Sequence, residues 1–317
     1  MFKYFFCIIT LLTCGTNIMQ TPGQLPSILV INSKSEINEE VMLPRNFRTS
    51  LDVLKSDDNE LPILEGLKEL NIIGSSQFSE KQLELVLKQV NHPAKLYIVD
   101  LRQEWHGFLN GVPVNWYGVR NASNSGKTTT QIMHEENERL EELREKKDIQ
   151  LSNIIQKDKF GQKLPEVTSV PFKVDNCSTE AKLAAKYQVD YFRIPVGDAL
   201  KPNKEMVDRF VSFIQTLPKG TWLYFHCAAG RGRTSTFMAM YDMLKNANRV
   251  SFNDIVKRQY LLGGADLSKF GSENTWKYPV AIERYQFLKD FYTYAKASEN
   301  GTKMTWRQYV EKNNLPY

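Results

Sequence analysis

Residues 221–244 restrict this chain more than any other stretch: TWLYF, then HCAAGRGRT, then STFMAMYDML. The first block is a short apolar run rich in aromatic residues, which reads as a buried strand, and the last is an apolar helix. Between them lies a loop that begins at Cys227 and holds Gly230 and Gly232. A strand that passes through such a loop into a helix collects backbone N–H groups at a helix N-terminus, where donors lack intrahelical acceptors and the dipole is positive. The backbone of Ala228, Ala229, Gly230, Arg231 and Gly232 is therefore expected to form an anion cradle. Glycine at 230 and 232 permits a backbone geometry and a ligand approach that a side chain would obstruct. Cys227 lies at the base of the cradle, and a thiol placed at a helix N-terminus beside an arginine ionises below the ~8.5 of a free cysteine. Arg233 closes the loop with a guanidinium, which grips two oxygens in parallel where a lysine offers one point charge. A thiolate beside such a cation favours attack at phosphorus over attack at a carbonyl.

Around this segment the C-terminal half alternates. YFRIPV reads as a strand, residues 203–216 as a helix, TWLYF as a strand and residues 234–245 as a helix, with further helices after Ser251 and from Pro279. That alternation predicts an α/β sheet with its site at the carboxyl ends of the strands. Upstream, Ser79 caps a helix over residues 81–90, AKLYIVDL is a buried strand, and residues 131–147 form an amphipathic helix whose charges read as solvated. KFGQKLPEVTSVPFKV breaks helical pattern with two prolines and is expected to supply strands of a smaller subdomain. A leaving alkoxide needs a proton, and Asp198, in the loop GDALKP just after YFRIPV, is the candidate acid at the same sheet edge. Asp190 is the weaker rival because it precedes that strand.

Residues 4–13 (YFFCIITLLT) follow Lys3 as an apolar run too short for a membrane span and resemble the core of a signal peptide. Residues 1–20 are thus expected to direct export, and residues 21–40 to form a polar tail. Leu11-Leu12-Thr13-Cys14 resembles a bacterial lipobox, although Thr13 departs from the small residue favoured there. Lipidation at Cys14 and simple release both stay open, and the expected location is periplasmic, lipid-anchored or secreted. With Cys7 and Cys14 in that segment, Cys177 and Cys227 remain, and no disulfide framework is implied. The net charge of +5 suits a polyanionic partner without choosing among nucleic acid, phosphate esters and acidic surfaces.

His226-Cys227-x-x-Gly230-x-Gly232-Arg233-Thr234 resembles the signature loop of protein-tyrosine-phosphatase-like enzymes. Together with the loop, further segments are similar to the bacterial cysteine phytases of that group: PRNFRT, GSSQFS, VDLRQEWHGFLNGVPVNWYG, YFRIPVGDALKP and RQYLLGG. The resemblance implies that residues 41–317 form one domain, an α/β core sheet flanked by helices with a small partial β-barrel inserted. It implies hydrolysis of inositol polyphosphates through a phosphocysteine, with no metal or other cofactor and no nucleic-acid partner. It assigns Thr234 a hydrogen bond to the sulfur and His226 a role in supporting the loop. It also places Arg45 or Arg48, Asp100, His134, Lys277 and Arg284 in the substrate pocket, where Lys201 and Arg231 add positive charge. Lys277 is expected just outside the helix that begins at Pro279, and Ala281 departs from the tyrosine expected at its position, which leaves positional preference open. A protein-tyrosine or phosphoinositide phosphatase, or a phosphate-binding module without catalysis, would share the loop.

Overall fold

The computed structural model describes residues 27–32, 42–54, 60–299 and 304–317. The expected signal segment, with Cys7 and Cys14, lies outside these residues. In chain order the strands are β1 (Ser27–Ile31), β2 (Arg48–Thr49), β3 (Ile72–Ser76), β4 (Leu96–Arg102), β5 (His106–Leu109), β6 (Val112–Gly118), β7 (Asp148–Gln156), β8 (Glu166–Lys173), β9 (Cys177–Ser178), β10 (Asp190–Val196) and β11 (Trp222–Cys227). The helices are α1 (Glu80–Gln89), α2 (Thr129–Lys146), α3 (Glu180–Lys186), α4 (Lys204–Thr216), α5 (Gly232–Asn246), α6 (Phe252–Leu261), α7 (Lys277–Glu299) and α8 (Trp306–Lys312).

Five strands in the order β10-β4-β11-β3-β2 form the core sheet, parallel except for β2. β11 is central and covered on both faces, which is why it reads as a continuous apolar run. Its alternate residues feed two cores. Leu223 and Phe225 pack with Phe210, Phe237 and Phe291 on the side of α4, α5 and α7, whereas Tyr224 packs with Leu83, Val86 and Leu183 on the side of α1 and α3. Because β3, β4, β10 and β11 are parallel, the segments that follow Ser76, Arg102, Val196 and Cys227 all leave the same edge. The expected α/β core is present, and its topology brings Gln77, Glu104, Asp198 and the Cys227 loop together.

The smaller unit is a six-stranded sheet, β8-β7-β1-β6-β5-β9, which stays open among the described residues. Pro171 falls in its edge strand β8, where a missing N–H is tolerated. β1 corrects the expectation that residues 21–40 form a polar tail. Its SILVI run pairs antiparallel with β6 and adds a parallel bridge to β7, and Val30 is buried. Two further corrections concern helices. α7 begins at Lys277, since a proline in a first turn forfeits no intrahelical hydrogen bond. Lys277 and Arg284, about two turns apart, consequently share a face. On α2 the charges are not all solvated: Glu136 is buried and accepts from Arg193 Nη1 at 2.8 and 2.9 Å and from His106 N at 2.9 Å.

Glu136 belongs to a buried charged cluster below the sheet edge. Asp100 lies 3.1 Å from Arg193 Nε and 3.3 Å from His106 Nε2, and accepts from Tyr191 Oη at 2.7 Å. Burial works against a charge on His106, yet Asp100 and Glu136 outweigh it and raise the imidazole from 6.5 to about 9. A proton held more tightly in the folded chain stabilises it fully below pH 6.5, and the contribution is lost as pH rises through 9. The urea midpoint is therefore expected to fall across that interval, and His106→Gln, which cannot titrate, should flatten the slope. An identical slope in the variant would show that His106 is not the group responsible.

Candidate active site

The loop after β11 owes its shape to three tethers. Ala228 O accepts from Gln77 N (3.3 Å), Ala229 O from Asn46 Nδ2 (2.8 Å) and Gly230 O from Arg48 Nη1 (2.9 Å). In a trans peptide the N–H points opposite to its carbonyl. Holding these three carbonyls outward turns the N–H groups of Ala229, Gly230 and Arg231 into the loop. Gly230 has φ +71°, and a Cβ there would stand 2.2 Å from the Ser75 carbonyl carbon. Gly232 is less restricted: its Cβ would meet only the flexible end of Arg284, Nη1 at 3.2 Å. Arg231 is the N-cap of α5 and supplies no side-chain cap, so the first-turn donors are left for an anion. Cys227 is buried and its Sγ accepts from Thr234 Oγ1 at 3.2 Å. His226, also buried, is bonded through Nε2 to Glu180 Oε1.

Arg233 is more constrained than its sequence position suggests. Its end-on fork is taken by Glu104, with Nη1 to Oε2 at 2.7 Å and Nη2 to Oε1 at 2.9 Å, and Nη1 also donates to Val196 O at 2.9 Å. What remains is the side-on edge, where Nε has no partner among the described residues and Nη2 lies 3.3 Å from Asp198 Oδ1. The bidentate grip expected for phosphoryl oxygens is thus available on the Nε–Nη2 edge, while the other fork anchors the side chain. Burial opposes the charge on Arg233, but Glu104 and Asp198 raise its pKa well above the ordinary value. Glu104 in turn sits far below the carboxylate range: burial opposes this, and Arg233 and Arg102 outweigh it. Asp198 is 35% exposed and its Oδ2 accepts from Asn121 Nδ2 at 3.2 Å, which ties the acid candidate to the six-stranded sheet. Asp190, the weaker rival, pairs with Lys95 at the start of β10, at the other end of the strand.

A cleft of about 580 Å³ opens beside the loop between the two sheets, lined in part by Arg45, Tyr117, Asn121, Lys157, Ala228 and Ala229. Arg231 is exposed at the loop, and Arg284 donates to Ala199 O at 2.9 Å on the far side. Burial lowers the pKa of Arg284, while Asp198 and Cys227 oppose the shift. Four other expected contacts are placed elsewhere. Arg48 is buried behind the loop, bonded to Asn46 O, Gly230 O and Ser235 Oγ, where burial lowers it to about 10 against the pull of Cys227. Asp100 is enclosed and bonded to Arg102 N and Tyr191, so it supports the strand ends and does not line the cleft. His134 is 73% exposed and pairs with Glu138, because Ile132, Glu136, Leu140 and Leu143 take the inner face of α2. Lys201 lies 4.4 Å over the ring of Tyr317, drawn toward the C-terminus.

Sequence reasoning missed Glu104, Asn121 and Lys157. Glu104 stood within a quoted segment, VDLRQEWHG, two residues past a strand ending in arginine, but its partner lies 129 positions away. Lys157, over the ring of Tyr117 at 4.9 Å, had only a hairpin of ordinary polarity to announce it. Desolvation lowers its pKa; Asp198 opposes this, and Lys277 and Arg45 add to it, so all three lie within electrostatic reach of Lys157.

A thiol cradled at the carboxyl edge of a parallel sheet, with an arginine and an aspartate beside it, defines a protein-tyrosine-phosphatase-like architecture. Residues 99–245 match the family model for protein-tyrosine-phosphatase-like phytases, described as inositol hexakisphosphate. A protein-tyrosine-phosphatase-like phytase of Bdellovibrio bacteriovorus is 34% identical, with 92% of this chain and 98% of that one covered and a TM-score of 0.70. The chain belongs to that family. A protein-tyrosine-phosphatase-like myo-inositol phosphatase of Mitsuokella multacida, solved with myo-inositol-(1,3,4,5)-tetrakisphosphate, is 35% identical over 94% of this chain with a TM-score of 0.83. The effector protein hopD2 of Pseudomonas syringae pv. tomato is 27% identical over 276 residues, or 85% of this chain. The chain spans 49% of the Mitsuokella protein and 58% of the effector.

The loop geometry predicts unequal effects of two alanines. Gly220 also has positive φ (+82°) but nothing within 4 Å of a Cβ, so Gly220→Ala carries only left-handed strain of ~1–2 kcal/mol. Gly230→Ala must also displace the backbone of Ser75 and Ser76. In thermal unfolding with and without inorganic phosphate, Gly220→Ala is expected to keep the phosphate-induced stabilisation and Gly230→Ala to lose it. Equal responses would contradict the close approach at Gly230.

Proposed function

We propose that this protein is a cysteine-dependent phosphomonoester hydrolase that acts on inositol polyphosphates. The observation that carries the reading is the Asp198 carboxyl beside the side-on edge of Arg233, with the Cys227 sulfur within electrostatic reach of the same guanidinium. In this mechanism the Cys227 thiolate attacks phosphorus, and the loop N–H groups and Arg233 hold the equatorial oxygens as charge develops. Asp198 gives its proton to the leaving alkoxide, then as a base takes one from the water that releases phosphate from the sulfur. Thr234 donates to the sulfur and so stabilises it as the thiolate that departs.

The substrate class rests on the cations. Arg45 and Lys157 line the cleft beside the loop, Arg231 is in the loop, Arg284 abuts Gly232 and Lys277 is within electrostatic reach of Lys157. This is more positive charge than one phosphate requires, and an inositol polyphosphate supplies several phosphates on a compact ring. The family match and the ligand of the Mitsuokella protein support the same class. The apolar segment at residues 4–13 supports action outside the cytoplasm, and among the described residues no helix is long and apolar enough to cross a membrane. A phosphatase of phosphotyrosyl proteins or phosphoinositides, which would share the Cys227 loop, is the second reading. Phosphate release from inositol hexakisphosphate, a phosphotyrosyl peptide and a phosphoinositide, measured side by side, separates the two.

Cys227→Ser is expected to abolish turnover while keeping the fold, because the hydroxyl is not ionised at neutral pH. Asp198→Asn should slow hydrolysis of inositol hexakisphosphate by ~10²–10⁴, the usual worth of general acid–base assistance. With p-nitrophenyl phosphate, whose phenolate leaves with little need of a proton, the loss in the first step should be smaller. Single-turnover kinetics on both substrates measure this, and equal small losses would remove Asp198 from the role of acid.

A further inference from the structure

The two ends of the Cys227 loop are joined beneath it by a continuous path of buried side chains. From the N-terminal end, His226 Nε2 is bonded to Glu180 Oε1. Gln77 Nε2 donates to Glu180 Oε2 at 2.9 Å, and Gln77 Oε1 accepts from Arg102 Nη1 at 2.7 Å. Arg102 Nε donates to Glu104 Oε1 at 3.0 Å, and Glu104 receives both Nη groups of Arg233, at the far end of the loop. Every member of this path is buried. These side chains and the loop backbone form a closed ring, and Gln77 is the one amide in it.

We propose that Gln77 is a positioning residue that couples His226 to Arg233 and so fixes the shape of the loop between them. Resting on the hydrolase reading given above, the inference assigns this role to a side chain that touches no reacting atom. Only an amide meets both demands at position 77, since it must donate to a carboxylate on one side and accept from a guanidinium on the other. A glutamate would set two carboxylates against each other, and a leucine would leave Glu180 and Arg102 each short of a partner in a dry site. Gln77 is fastened to the loop a second way, through its own N–H to Ala228 O at 3.3 Å. Changing the side chain leaves that backbone bond in place and frees the anchor of the arginine, which bears on the transition state more than on remote substrate contacts.

The experiment compares wild type, Gln77→Leu, Gln77→Glu and the exchange variant Gln77→Glu/Glu180→Gln. In the exchange variant the amide moved to position 180 donates to the carboxylate moved to position 77 and still accepts from His226, so the ring closes again with the same total charge. The cost is at His106 Nε2, which lies 3.4 Å from Glu180 Oε2, so the recovery is partial. Gln77→Leu and Gln77→Glu are expected to lower kcat about 100-fold, the scale of a misplaced reacting group, with KM changed far less. The exchange is expected to recover at least about tenfold of the loss seen in Gln77→Glu, a coupling of the size found between directly bonded residues. Rates are taken per folded protein from circular dichroism, and the exchange variant reads the coupling even if Gln77→Glu alone folds poorly. A wild-type kcat in Gln77→Leu, or an exchange variant no better than Gln77→Glu, overturns the proposal. A wild-type protein inactive on every phosphomonoester overturns the hydrolase reading instead, so the two failures are distinct.

Discussion

A guanidinium enclosed by protein is tolerable only where an anion and well-aimed acceptors replace the water it has lost, and removing such an anion leaves a charge that costs about 3–5 kcal/mol. Arg233 meets that condition through Glu104, with the carbonyls of Leu101 and Val196 adding the ends of β4 and β10. The pair decides which edge of the guanidinium faces the thiol, and it ties the helix carrying Arg233 to two neighbouring strands. The loop, α5 and the strand ends are thereby oriented as one unit before any ligand arrives. Preorganised charge of this kind lowers barriers because no dipole has to turn during the reaction.

The same balance of charge extends below the loop. Asp100, His106, Glu136, Glu180 and Arg193 lie within one dry layer where acids and bases alternate, and Asp100 and Glu180 stay ionised because burial is outweighed by neighbouring imidazoles and, at Asp100, by Arg193. The layer joins the sheets: His106 begins β5, Arg193 lies in β10, and Glu136 comes from α2 over the six-stranded sheet. Asn121, which follows β6 and is bonded to Asp198, joins them again beside the cleft. The smaller sheet therefore acts as a wall of the cleft, with Lys157 just past the end of β7.

Much of this was legible in the chain itself where the signal is local. A strand, a loop with two glycines and a helix read as a cradle because all three lie within 24 consecutive residues, and capped helices such as α1 and α4 announce themselves through Ser79 and Asn203. What escaped was set by long-range pairing. Arg48 and Arg45 look alike three residues apart, yet one is drawn behind the loop by Gly230 O and the other lines the cleft. Asp100 at a strand's end reads as a site carboxylate until Arg193 and His106 are seen to enclose it. His134 lies on the outer face of a helix whose inner face Ile132, Leu140 and Leu143 already mark, and only the resemblance places it in the pocket. SILVI, short and amid polar residues, gave no sign that β6 and β7 needed a strand between them.

Turnover by this route requires a covalent bond between phosphorus and the Cys227 sulfur. Rapid acid quench of the enzyme during turnover of inositol hexakisphosphate, followed by mass spectrometry of its peptides, tests this directly. The expected result is the mass of one phosphoryl group on the peptide that contains Cys227, enriched in Asp198→Asn, where the water that clears the intermediate is no longer activated. Turnover with an unmodified Cys227 at every quench time, in both wild type and Asp198→Asn, would contradict it.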